Sequence, residues 1–135
     1  MVYKIEEIEG VGPVFGEKLK AAGITSVDQL LEKCAGKAGR VSLAAETGIE
    51  ETSILKWANH ADLFRISGIG PQFSELLEAA GVDTVKELRT RKAENLYAKI
   101  KEVNEAKKLV QRLPSLDQIA KMIEEAGSAE VRMTY

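Results

Sequence analysis

The sequence predicts an all-helical protein, and three observations carry that prediction. No segment sustains the apolar–polar alternation of a half-buried strand. Glycine and proline stand where helices would start and stop. Apolar residues recur at helical spacing, as in Phe15, Leu19 and Ala22, and again in Phe73, Leu77 and Ala80. Those two sets are one pattern seen twice. Sliding the chain by 58 residues aligns 5–34 with 63–92 and gives twelve identities in thirty, so a unit of roughly sixty residues has been duplicated.

Each copy begins with a short amphipathic segment, 4–8 or 61–66, that enters a Gly-apolar-Gly turn. Pro13 or Pro71 follows at the start of a helix, where its missing N–H costs nothing. That helix runs to Ala22 or Ala80 and is stopped by Gly23 or Gly81, which tolerates the left-handed conformation. "SVDQ" at 26–29 and "TVKE" at 84–87 both have capping-box form, so another helix starts at each. Beyond this the copies diverge. In the first, residues 41–61 read as two helices divided at Gly48. In the second, a longer helical stretch breaks at Pro114 and a last helix is capped by Ser115. Trp57 and Met122 are expected to fill equivalent core positions. The domain expectation is 1–60, 61–127 and a loose tail at 128–135, whose "SAEVRMTY" has no pattern.

The 135 residues, 44% of them hydrophobic, are enough for a compact core without help. One cysteine, Cys34, allows no internal disulfide, and the acidic start lacks the basic and apolar regions of a leader. A cytoplasmic setting is expected, with no membrane span and no metal or cofactor. The net charge of −2 argues against a dedicated nucleic-acid binder. The charge is uneven, however. Residues 86–112 hold nine basic and four acidic side chains, among them Arg89, Arg91, Lys92 and Lys99. A solvated helix face with i, i+4 ion pairs is the plain alternative for that stretch.

Helix, "GVGP" or "GIGP", helix, then "LKAAG" or "LEAAG" resembles the helix-hairpin-helix motif. Two copies with the wording "DLFRISGIGPQFSELLEAAGVDTVKEL" resemble a bacterial-type family known as a domain of unknown function, built of paired helix-hairpin-helix units. The resemblance covers nearly the whole chain and implies small helical bundles of the SAM-like kind. It also implies DNA binding without base reading, with the amides of Gly10, Val11 and Gly12, and of Gly68, Ile69 and Gly70, set against phosphates. A helix N-terminus favours an anion through free N–H groups and its dipole. The residues after each proline depart from that pattern: Val14 and Phe15, then Gln72 and Phe73, with Glu75 and Glu78 following. Only the first copy offers cations on that helix, Lys18 and Lys20.

Other chemistries find little footing. Ala44, Gly48 and Ile54 match the spacing of a DNA-reading helix-turn-helix, but Glu50 and Glu51 open the would-be recognition helix. His60 and Cys34 are the only residues of their kinds, too few for an ordinary zinc site. "GVGPVFG" lacks the lysine and hydroxyl of a phosphate-binding P-loop. The expectation is a non-catalytic binding module for nucleic acid, its alternative a protein adaptor or self-association module with purely structural hairpins.

Overall fold

Among the described residues eight α-helices form, most of them bounded by glycines, prolines and caps. In the computed structural model, which describes residues 3–135, the protein is all-helical, and the only extended pairing among those residues is one bridge between Lys4 and Ser26. Two compact units divide the chain: residues up to Asp62 together with Arg132–Tyr135, and Leu63–Val131.

The first unit holds a 3-10 turn at Ile5–Glu7, then α1 (Gly12–Ala21), α2 (Val27–Cys34), α3 (Lys37–Thr47) and α4 (Glu51–Leu63), whose last residue counts with the second unit. The second holds α5 (Pro71–Ala79), α6 (Val85–Leu88), α7 (Ala93–Lys107) and α8 (Leu116–Ser128). The 3-10 turn packs on α1 and α2 on α3; α7 packs on both α5 and α8, and α8 on α6.

The duplicated helix endings are nearly identical in chemistry. Gly23 (φ +88°) donates to Lys20 O and Ile24 to Leu19 O, both at 2.9 Å. Gly81 (φ +93°) donates to Glu78 O at 3.0 Å and Val82 to Leu77 O at 2.8 Å. This paired closure satisfies the carbonyls that a helix end leaves open. The apolar residue after each glycine, Ile24 or Val82, is then buried.

The helix starts differ more. Ser26 and Gln29 exchange both capping hydrogen bonds, as do Ser115 and Gln118. The box expected at Thr84 forms only by half. Thr84 Oγ1 accepts from the Glu87 amide at 3.3 Å, but the Glu87 carboxylate lies 3.6 Å from Arg91, one turn further on. A cation at i+4 thus competes with the backbone amide for the carboxylate.

Gly48 (φ +73°) divides α3 from α4 as expected. Leu43, Ile49, Ile54 and Trp57 are all buried, so the helix-turn-helix-like spacing reports packing around a tight turn. In the second unit α7 ends at Lys107, well before Pro114. Lys108 takes a left-handed conformation (φ +53°), and the Asn104 side chain bridges Val110 through both its N–H and C=O at 3.0 Å. Asn104 thus closes the turn by itself, with no glycine or proline to announce it.

The core of the second unit gathers Leu63, Ile66, Phe73, Leu77, Leu88 and Ile100 with Ile119, Met122 and Ala126 from α8. Leu19 and Leu77 are fully buried, while Phe15, Ala22 and Ala80 are half-buried, so the repeated stripe is a core stripe with a wet margin. Among the described residues no helix is long and apolar enough to cross a membrane.

The separate tail expected at 128–135 is corrected. Residues 129–131 stay with the second unit, and Arg132–Tyr135 join the first. Met133 is buried, the Thr134 amide donates to Ala35 O at 2.8 Å, and Tyr135 Oη reaches Asn59 at 3.2 Å. Arg40, itself buried, donates to Cys34 O and Ala35 O at 3.0 Å and to Thr134 O at 2.7 Å, with the Tyr135 ring over its guanidinium. The cation thereby caps the end of α2 and holds the returning segment with the same group.

Candidate nucleic-acid interface

The two glycine turns share a left-handed first glycine and two internal hydrogen bonds, and differ at the second glycine and in what surrounds them. In the first, Ile8 donates to Ile5 O at 3.3 Å and Val11 to Ile8 O at 3.2 Å, so the Val11 amide is engaged within the turn. Gly10 (φ +92°) and Gly12 (φ +62°) both need the left-handed region, where a side chain is strained. The indole of Trp57 lies under Gly10: a Cβ there would stand 3.6 Å from its Nε1. Phe15 in turn packs on Trp57, ring centroids 5.2 Å apart.

Three carboxylates, Glu6, Glu7 and Glu9, share a cleft of about 310 Å³ with Gly10 and Gly12. Lys20 binds Glu6 at 2.5 Å, and that hydrogen bond holds the Glu6 carboxyl below its ordinary range. Lys18 sits 5.9 Å from the centroid of the Phe15 ring. The cleft at the first turn is therefore lined by acids, and Lys20 is committed to one of them.

In the second turn Ile66 and Ile69 repeat the internal bonds, each at 3.1 Å. Here the Ser67 amide donates to Glu125 Oε2 at 3.0 Å. A carboxylate of the same chain occupies the place where an external anion would meet that amide. Gly68 (φ +87°) faces Met122: a Cβ there would stand 3.1 Å from the thioether methyl. Trp57 and Met122 thus lie under corresponding glycines. Gly70 is extended and caps α5, its carbonyl accepting from Ser74 at 2.9 Å, while Ile69 is buried.

The basic residues separate into structural and open ones. Arg89 donates to Ala126 O and Ala129 O and so closes the end of α8, as Arg40 closes α2. Arg91 is oriented by Gly81 O at 2.9 Å and by Glu87. It lines a cavity of about 420 Å³ together with Lys92, Lys99, Thr90 and Asn95, over Ala80 and Leu96. No acidic side chain lines it. Lys92 precedes the first turn of α7, which no side chain caps. Of the twelve residues expected at an interface, Arg91, Lys92 and Lys99 are brought to this cavity, while Gly10 and Gly12 share the acidic cleft of the first turn. Thr90, Asn95 and Glu125 belong to the geometry and were missed. Lys92, Asn95 and Lys99 lie at helical spacing and could have been found; Glu125 meets Ser67 from 58 positions away and leaves no local signal.

The Cys34 thiol is fully buried, and desolvation pushes it up to about 11, against the pull of Lys33 and Arg40. A thiol held neutral in this way is a poor nucleophile.

The family model described as Domain of unknown function (DUF4332) matches residues 9–129. No curated protein and no solved structure matches the chain.

Proposed function

We propose that this chain, which belongs to the family described as a domain of unknown function, is a non-catalytic module of two helix-hairpin-helix units that binds nucleic acid without reading sequence. The contact runs through the basic cavity at the start of α7, and both glycine turns serve as scaffold. The observation that carries this reading is the composition of the cavity: three cations, a hydroxyl and an amide, with no carboxylate. Phosphates supply sequence-independent affinity by displacing counterions, and hydroxyl and amide groups fix them in place. The excess of basic residues across 86–112 extends the positive potential beyond the cavity. The lone buried thiol suits a cytoplasmic setting.

The test is fluorescence anisotropy of labelled duplex and single-stranded DNA across a salt series. Binding is expected near ~50 mM salt and falls steeply as salt rises. Replacing Arg91, Lys92 and Lys99 with alanine lowers the salt slope by about one for every phosphate that no longer meets a cation. Absence of binding at the lowest salt overturns the reading.

A protein partner is the second reading, and the first turn favours it. Val14, two residues after Gly12 of the cleft of Glu6, Glu7 and Glu9, is 68% exposed, and an exposed apolar side chain with three acids suits a basic amphipathic segment. A lysine-rich amphipathic peptide that binds the wild type and not a Glu7→Lys, Glu9→Lys chain supports it.

A further inference from the structure

A second cleft lies beside the turn at Ser67 and Gly68, with a volume of about 520 Å³. We propose that it binds a small phosphate monoester with an apolar or flat body. The inference uses a different cleft from the nucleic-acid reading and none of the residues around the start of α7, sharing with it only Arg112 of the basic stretch 86–112.

The duplication shows how the cleft arose. In the first unit, α3 and α4 are joined across Gly48–Glu50; in the second, α7 and α8 are joined across Lys108–Ser115. That longer connection supplies Arg112, Leu113 and Pro114 as one wall, and α8 supplies Lys121, Met122 and Glu125 as the other. The size falls within the range of roughly 300–1,000 Å³ typical of small-molecule sites.

The lining divides by chemistry. Leu113, Pro114 and Met122 give an apolar floor, and the Met122 thioether is a soft contact for a flat ring. Arg112 and Lys121 are exposed cations, and neither forms an ion pair among the described residues. A monoester carries about −1.5 to −2 at neutral pH, which two cations match and a carboxylate would not need. Glu125 is tied to the Ser67 amide and makes that end of the cleft negative. The head group therefore belongs at Arg112 and Lys121, with the body on the floor towards the turn.

The test uses the full chain with methyl-labelled methionine. Met122 lines the cleft and is read by NMR, its signal assigned with a Met122→Leu chain. Phenyl phosphate is expected to shift the Met122 methyl saturably at millimolar concentration. Inorganic phosphate, with the head alone, and phenylacetate, with the body and a single charge, bind at least ~10-fold more weakly, since each forfeits one of the two contributions. Replacing Arg112 and Lys121 together with alanine abolishes the shift, whereas alanine at Arg91, Lys92 and Lys99 leaves it intact. No shift with phenyl phosphate overturns the proposal, as does phenylacetate binding equally well or the double variant retaining full affinity.

Discussion

The first glycine turn rests on an indole and is ringed by acids; the second rests on a thioether and has its amide filled by Glu125. Both keep the same left-handed glycine and the same internal hydrogen bonds. Duplication preserved the left-handed glycine and its internal bonds and changed the side chain beneath it and the charges around it. The side chain under the first glycine changes from Trp57 to Met122, while the left-handed glycine above it stays.

The sharpest way to break the comparison is to empty the space under each glycine. Trp57→Ala removes a buried side chain that supports both Gly10 and Phe15, at a cost of about 3–5 kcal/mol. Met122→Ala removes a smaller group from the floor of the 520 Å³ cleft, and costs about 2 kcal/mol. Native-state hydrogen exchange should show the first change loosening α1 and α2 and the second loosening α5 and α8. Equal losses in both units from either change would mean that the units do not unfold separately.

An effect smaller than that of Trp57→Ala comes from the arginines that each unit uses to close a helix. Arg40→Met keeps the bulk and removes bonds to three carbonyls, which costs about 2–3 kcal/mol and should release the returning segment. A drop in exchange protection at the Thr134 amide checks it, with the Ser67 amide as the unchanged reference. At the second turn, Glu125→Gln replaces a charge-assisted bond with a neutral one and costs about 1 kcal/mol, since the Ser67 amide is near solvent and water can serve it. Chemical denaturation resolves a difference of that size when the slope is unchanged.

The residues that sequence could place are those whose partners are close in the chain. Ser26 finds Gln29, Ser115 finds Gln118, and Gly23 and Gly81 end their helices by bonds spanning at most five residues. The half-formed cap at Thr84 fails for an equally local reason, the cation at Arg91. What sequence hid depends on distant meetings or on single side chains acting as breakers. Asn104 stops α7 without glycine, Glu125 reaches Ser67 across the second unit, and Arg40 captures Thr134 from 94 positions away. The candidate cavity was half legible: its cations stood out by charge, while Arg89 carried the same charge and was spent on the end of α8.

The smallest effect separates the turns by charge alone. Lys20 and Glu6 pair at 2.5 Å, and the corresponding positions of the second copy, Glu78 and Phe64, offer no such pair. The hydrogen bond from Lys20 lowers the Glu6 carboxyl and raises the lysine, so any stabilisation is lost as pH falls through the lowered Glu6 value or rises through the raised Lys20 value. Both groups reach solvent, so the effect on stability is small and belongs to a titration. In Lys20→Met, the Glu6 carboxyl should titrate at a higher pH than in the wild type, read by carbon-13 NMR. An unmoved Glu6 would mean that the acids around the first turn already stand alone. The cleft there would then be more negative still, and better suited to a basic partner than to a phosphate.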